Sequence, residues 1–286
     1  MCPSPDPIPS LQQFCLRILT SGDLATKLEP PPETLADPRE PALDFPERPL
    51  RNPEIAMAPR STPLPRPGAL RDPAARARCL ARFAHHELMA VELFAWALLR
   101  WPQMPRGLRR SLASTLVEEQ THCRLYLERL RDHGDALCDH PQADYFWRQT
   151  PAISRSPAGP KAFLAAMGLT FEQANLDFTL VYRDGFRAAG DEASARVCQR
   201  VHDEEIGHVR SASNWLCKLG GNGVRDLEAY QDAIAFPLSL ARAKSHRFFA
   251  TPRREAGLSE AFIEAVRRAR STQETRRVPS QRNTSP

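Results

Sequence analysis

The sequence predicts an all-α protein built around four long helices, and three observations carry that prediction. Apolar residues recur at spacings of three and four along four stretches of the chain, the period of a helix with one buried face. Strand signals, meaning alternating runs rich in β-branched and aromatic residues, are almost absent. The four stretches are also bounded by residues that start and stop helices.

The first long helix opens at Asp72-Pro73, an N-cap followed by proline at the first helical position, and runs to about Arg100, ahead of Trp101-Pro102. The second starts near Pro105 and ends at His133-Gly134, where glycine suits the left-handed C-terminal position. The third starts near Pro160 and runs to about Leu180 or beyond. The fourth follows Gly190-Asp191 and ends at Gly220-Gly221. An up-and-down bundle is the natural architecture. The connection from Asp135 to Gly159 is longer than a bundle hairpin needs and has room for a crossover or a short extra helix.

Before the helices, a short amphipathic helix is expected around Ser10 to Leu28, with Leu11, Phe14, Ile18 and Leu24 on its apolar side. The segment from Glu29 to Pro67 is studded with proline. It cannot be a helix or a central strand and reads as an extended arm, wrapped on the domain or loose. The expected organisation is an N-terminal short helix and arm (1–72), a four-helix bundle (73–221), a C-terminal helical extension (222–267) and a disordered basic tail (268–286).

Composition sets outer limits. With 42% hydrophobic and 26% charged residues in a chain of 286, this is a globular composition. No apolar run reaches the roughly 18 residues that span a bilayer. The longest, Val91 to Leu99, is interrupted by Glu92. The N-terminus, MCPSPDPIPS, lacks a charged segment followed by an apolar one, so a cytoplasmic location without a membrane partner is the expectation. The seven cysteines are odd in number, scattered and free of C-x-x-C spacing, which argues against a disulfide framework or a thiolate zinc site. Net charge is +5, but from residue 252 onward eight Arg stand against four Glu, so most of the excess lies at the C-terminus. Such a tail is a solvated segment or an arm for RNA or anionic lipid.

The seams of the four helices carry the chemistry. They read Leu80, Ala84, Glu87, Val91, Phe94, Leu98 in the first helix and Leu108, Leu112, Thr115, Glu119, His122, Tyr126 in the second. The third reads Ala165, Leu169, Glu172, Leu176, and the fourth Cys198, Val201, Glu205, His208, Ala212, Trp215. Each helix places a carboxylate where a hydrophobe belongs, and two add a histidine one turn later. Each unpaired buried charge costs several kcal/mol, so cations must offset the four carboxylates. No Lys or Arg occupies these seams near the middle, and two divalent metal ions would serve. One Glu from each of two helices, with Glu-x-x-His from each of the other two, is the donor set of a dimetal-carboxylate centre. Oxygen-rich donors with one imidazole per metal suit iron or manganese better than zinc or copper. A single Glu-x-x-His is a weak signal, because the Glu and His content gives roughly half a match by chance. The weight lies on the joint pattern: Glu119-Gln-Thr-His122 and Glu205-Ile-Gly-His208 both fall mid-helix on the seam, with single glutamates on the remaining two helices.

The strings HHELMAVELFAWALL, EEQTHCRLYLERL, MGLTFEQANLDF and DEEIGHVRSASNWL resemble the bacterial ferritin-like proteins of domain-of-unknown-function family 455. SGDLATKLEPPP near the N-terminus and RREAGLSEAFIEAV near the C-terminus extend the resemblance over roughly residues 10 to 267. It implies a ferritin-like four-helix bundle with a proline-rich N-terminal arm and extra C-terminal helices. It also implies metal ligands at Glu87, Glu119, His122, Glu172, Glu205 and His208, which fill all six positions of the pattern. The family is more aromatic after its second-helix histidine, where this chain has Cys123, a departure at the edge of the site.

Other residues have plainer roles open to them. Glu92, Asp177 and His202 are candidates to support the ligands from behind, set against ion pairs or ordinary packing. His85 and His86 do not share the face of Glu87 and read as structural. Glu118 and Glu204 sit beside ligands but a 100° step away, which puts them at the surface or behind the ligands. Tyr126 reads as a packed core tyrosine, and Tyr145, Phe146 and Trp147 as a pin for the long connection.

The expected function is a non-haem di-iron (or iron–manganese, or manganese) oxidoreductase. It would draw on O₂ and an electron donor to hydroxylate or oxidise an organic substrate whose identity the residues do not give. The alternative is a ferroxidase or iron-handling protein with no organic substrate. A nucleic-acid partner, tRNA by analogy with other ferritin-like enzymes, rests on analogy and the basic tail alone.

Overall fold

Why these residues form helices is visible at their ends. In the computed structural model, which describes residues 10–39, 44–60 and 62–270, helix α1 spans Leu11–Thr20 behind a capping box: the Ser10 hydroxyl accepts from Gln13 N while the Gln13 side chain accepts from Ser10 N. Asp23 caps a second short helix, α2 (Leu24–Leu28). The single helix expected over this stretch is therefore two, broken at Ser21-Gly22-Asp23. There an incoming chain segment crosses, and Asn52 N donates to the Gly22 carbonyl. The arm is wrapped. Its backbone follows α1, with Leu50 N on the Leu19 carbonyl, and buries Ile55 and Leu70.

The long helices lie where the caps place them. Helix α3 is Pro73–Arg100, with the Asp72 carboxylate accepting from Ala74 N, and α4 is Arg106–Asp132, stopped at Gly134 in left-handed conformation. The long connection carries a two-residue strand, β1–β2 being Met57–Ala58 of the arm paired in parallel with Gln142–Ala143. It also carries a short helix, α5 (Thr150–Arg155). The third long element is not one regular helix. It runs as α6 (Pro160–Ala166), a π-helical turn (Met167–Glu172) and α7 (Gln173–Ala188). The Thr170 hydroxyl donates to the Ala165 carbonyl five residues back, satisfying a group that the widened turn would orphan. Helix α8 (Glu192–Gly220) is capped by Asp191, which accepts from Ser194 N. Helices α9 (Asp226–Ala233), α10 (Thr251–Glu255) and α11 (Glu260–Arg268) follow. The expectation of a disordered tail falls mainly on residues 271–286, which lie outside the described residues.

Packing is helix on helix. Helix α3 lies along α4, α7 lies along α8, and α4 meets α8 across the middle. The seams meet inside. Leu80, Ala84, Val91 and Leu98 of α3, Leu108 of α4, Leu169 and Leu176 of the third element and Val201 of α8 are all essentially inaccessible to solvent. Helix α3 is buried on nearly its whole circumference from Leu88 to Leu99, because α1 covers the face turned away from the bundle. Gly168 lets the π-helical turn press against α8: a Cβ there would lie 2.2 Å from the Ala212 Cβ. Among the described residues no helix is long and apolar enough to cross a membrane.

Candidate metal centre

All six predicted ligands converge. Glu87 comes from α3, Glu119 and His122 from α4, Glu172 from the last position of the π-helical turn, and Glu205 and His208 from α8, and all six are buried. They form two overlapping groups. Ligand-capable atoms of Glu87, Glu119, His122 and Glu205 lie within 4.8 Å of one another, and so do those of Glu119, Glu172, Glu205 and His208. Glu119 and Glu205 belong to both.

Each histidine is held from behind by the helix opposite. His122 Nε2 is 2.6 Å from Glu204 Oε2 on α8, and His208 Nε2 is 2.7 Å from Glu118 Oε2 on α4. A carboxylate can only accept, so the proton sits on Nε2 and each Nδ1 turns toward the cluster. His122 Nδ1 is 3.4 Å from Glu119 Oε2. His208 Nδ1 is 3.2 Å from Glu119 Oε1 and 3.4 Å from Glu205 Oε2. The two Glu-x-x-His helices thus brace each other reciprocally, each glutamate that precedes a ligand serving the histidine across the gap. Asn175 of α7 adds a hydrogen bond to Glu205 Oε1 at 2.8 Å.

The charges inside do not balance. Among the described residues no Lys or Arg pairs with any of the four carboxylates; Glu119 and Glu205 pair with the two histidines, and Glu87 and Glu172 take part in no ion pair. Burial drives the Glu87 carboxyl well above the ordinary range, and Glu119 beside it pushes the same way. Burial also raises Glu172 far above that range, despite His208 nearby. For Glu119 burial acts upward but His122 and His208 overcome it and hold the carboxyl low. Both imidazoles are held well above their usual value against the opposing effect of burial, His122 chiefly by Glu119 and His208 by Glu118, Glu119 and Glu205. The hydrogen bond from His122 lowers Glu204 to about 2. Glu119 Oε1, Glu172 Oε1, Glu205 Oε2 and His208 Nδ1 are buried without a hydrogen-bond partner. Orphaned acceptors crowded around one point are costly unless a cation sits among them. The donor set, carboxylate oxygens plus one imidazole nitrogen in each group, fits two hard-to-borderline divalent ions.

The centre opens into a cavity of about 300 Å³. Glu87, Glu119, Glu172 and Glu205 form its inner end, and Phe83, Tyr145, Phe146, Phe171 and Phe178 line its walls. Phe146 stacks on Phe171 with centroids 4.4 Å apart. His86 faces this cavity against Phe146, with its pKa lowered to about 3 by burial and by Arg82.

The residues expected behind the ligands bond elsewhere: among the described residues none of Glu92, Asp177 and His202 has a hydrogen bond to one of the six. The Glu92 carboxylate is taken up by Lys27 Nζ at 3.0 Å, Arg51 at 2.7 and 3.0 Å and Trp147 Nε1 at 3.1 Å. Asp177 binds Arg253 at 2.7 Å and the backbone N–H groups of Ser245 and Phe249. His202 Nδ1 meets the Thr179 hydroxyl at 3.0 Å. Trp147 does pin the long connection, but Tyr145 and Phe146 line the cavity. His85 is structural as expected, bonded to Arg51 and the Ala143 carbonyl, and Tyr126 is a packed core residue against Phe83. The residues that bond to members of the six are Glu118, Glu204 and Asn175. The sequence signal for the first two was the doubled acid in Glu118-Glu119 and Glu204-Glu205, each pair one turn before a histidine.

The chain matches the family model described as "Protein of unknown function (DUF455)" over residues 17–264, and it belongs to that family. No curated protein and no solved structure matches it.

Proposed function

We propose that this family member is a ferritin-like dimetal-carboxylate protein acting as a non-haem di-iron (or iron–manganese) oxidoreductase on an organic substrate. The single observation that carries the reading is the pair of overlapping donor groups sharing Glu119 and Glu205, with buried acceptors left orphaned among them. In this reading Glu87 and His122 would hold one ion, Glu172 and His208 would hold the other, and Glu119 and Glu205 would be available to either. Two such ions, when bound, supply O₂ activation for hydroxylation or oxidation, with electrons from an external donor.

The chain's own residues do the rest. Glu118 and Glu204 keep the Nε2 protons in place, so each Nδ1 faces the centre and would present its lone pair to an ion that displaces the second proton. Asn175 fixes the orientation of the Glu205 carboxylate. The aromatic walls exclude water and hold an apolar group beside the carboxylates. Residues 73–221 carry the whole centre and are read as the catalytic unit. In the unit 1–72 the described residues of α1, α2 and the arm serve as a brace, and in 222–267 Ala241, Arg242 and Lys244 supply cavity wall. An organic substrate is favoured over iron handling alone because ion passage has no use for an aromatic-walled space of this size.

Metal analysis of protein produced with iron supplementation tests the reading. About two ions per chain are expected, falling to one or none in Glu119→Ala and Glu205→Ala. Two ions retained by both variants would overturn the ligand assignment, and a trace content in the unaltered chain would overturn the reading itself.

A further inference from the structure

The C-terminal extension builds the mouth of the cavity. Asp177 and Arg253 form a fully buried ion pair at 2.7 Å, and Asp177 also accepts from the backbone of Ser245 and Phe249 at 3.0 and 2.9 Å. Arg253 reaches back to the Ala243 and Phe249 carbonyls, both at 2.7 Å. The segment 243–249 is thereby clamped to α7 two residues beyond Asn175, and it cannot drift from the centre without stranding a buried charge. Just ahead of and within this clamped segment, Arg242 and Lys244 stand at the cavity mouth. Lys244 Nζ is tied to the Arg267 carbonyl at 2.5 Å.

Those same two residues also line a second depression, shared with His246, Arg267, Arg268 and Arg270 and with no Asp or Glu among the described residues of its lining. One acid, Glu264, pairs with Arg267 at 3.3 Å and with Arg268 at 2.5 Å, while Arg242 and Arg270 take part in no ion pair among the described residues. An apolar, aromatic-walled cavity ending at carboxylates therefore opens through two cations into a strongly basic groove. A neutral hydrophobe has no use for that mouth, and an anion alone has none for the cavity. The combination fits a molecule with both parts, the guanidinium groups matching a phosphate's oxygens.

We propose that the cavity takes an amphipathic organic phosphate, its apolar part lodged against Phe146, Phe171 and Phe178 and its phosphate head held by Arg242 and Lys244 at the entrance to the groove. This rests on the dimetal reading for the reaction but not for the binding. The cavity's size favours a small molecule over a polymer, since it admits a ring or short chain and the charge lies at its rim.

Binding to the full, metal-loaded chain is measured at physiological ionic strength with four probes: geranyl diphosphate, geraniol, inorganic pyrophosphate and decauridylate. Geranyl diphosphate is expected to bind at least about tenfold more tightly than either geraniol or pyrophosphate, a gap of about 1.4 kcal/mol. Arg242→Gln and Arg270→Gln, both at exposed positions, should remove most of that gap and leave geraniol unchanged. Equal binding of geraniol and its diphosphate would overturn the inference. So would the absence of diphosphate binding below about 1 mM, or decauridylate outcompeting the diphosphate, which would assign the groove to nucleic acid. Metal content is read on the same sample. Two ions per chain with no charge preference refutes this inference alone, and absence of metal refutes the functional reading alone.

Discussion

Two kinds of buried acid sit within this fold, and they are finished differently. Glu92 and Asp177 are as deeply buried as any metal-centre glutamate, yet each is fully matched by the chain itself, the first by Lys27, Arg51 and Trp147, the second by Arg253 and two backbone N–H groups. Of the candidate centre's glutamates, Glu119 and Glu205 meet the two histidines and Glu205 also meets Asn175, while Glu87 and Glu172 take part in no ion pair among the described residues and acceptors stay orphaned. Burial alone therefore does not mark a functional carboxylate. Whether the protein supplies the compensating charge does. Matched acids act as rivets between segments distant in sequence, and unmatched ones imply a partner from outside.

Substitutions can break this contrast. The largest expected effect is at a rivet: Asp177→Ala strands Arg253 and should cost about 3–5 kcal/mol, read by denaturant unfolding and equal with and without chelator. Next is metal removal from the unaltered chain. Chelation should lower stability by up to about 4 kcal/mol if the ions are held at a thousandfold over their dissociation constant, whereas a thermal unfolding midpoint indifferent to chelator would erase the distinction. Glu172→Gln should split the two regions most cleanly, lowering metal content while leaving the metal-free form no less stable, since it removes a carboxyl that burial already disfavours. Glu118→Gln and Glu204→Gln should weaken metal affinity by about 10–100-fold with little change in metal-free stability.

The smallest effect belongs to a surface rivet. Asp191 accepts from Ser194 N and its hydroxyl and pairs with His133 and Arg129. These contacts outweigh burial and hold its carboxyl below the ordinary value. A folded-state value below the unfolded one means its stabilisation is present above about pH 4 and is lost as pH falls through the lower value. Asp191→Ala should cost about 1 kcal/mol at neutral pH, with the gap from the unaltered chain closing in acid.

Much of this was legible in the sequence because it is local. Asp72-Pro73, Gly134 and Asp191 mark helix ends by chemistry within a few residues, and the structure ends its helices there. The convergence of the six predicted ligands was legible because each lies on an apolar seam, and seams face one another. What was hidden depends on distant partners. Nothing near Glu92 announces Lys27 or Arg51, and nothing near Asp177 announces Arg253. Glu118 and Glu204 point away from their own seam, and a single-helix projection misses that this direction leads to the neighbouring helix. The π-helical turn left no mark except Gly168, whose need for closeness to Ala212 appears only once α8 is beside it.

The wrapped arm also has a consequence for the order of assembly. Lys27 waits for Glu92, the carbonyls of Lys27 and Glu29 wait for the Gln120 amide, Arg48 waits for Asp144, and Met57 and Ala58 wait for Gln142 and Ala143. During synthesis Lys27, Arg48, Met57 and Ala58 emerge ahead of these partners, and they can settle only after α3, α4 and the following connection have emerged, so they find their places late.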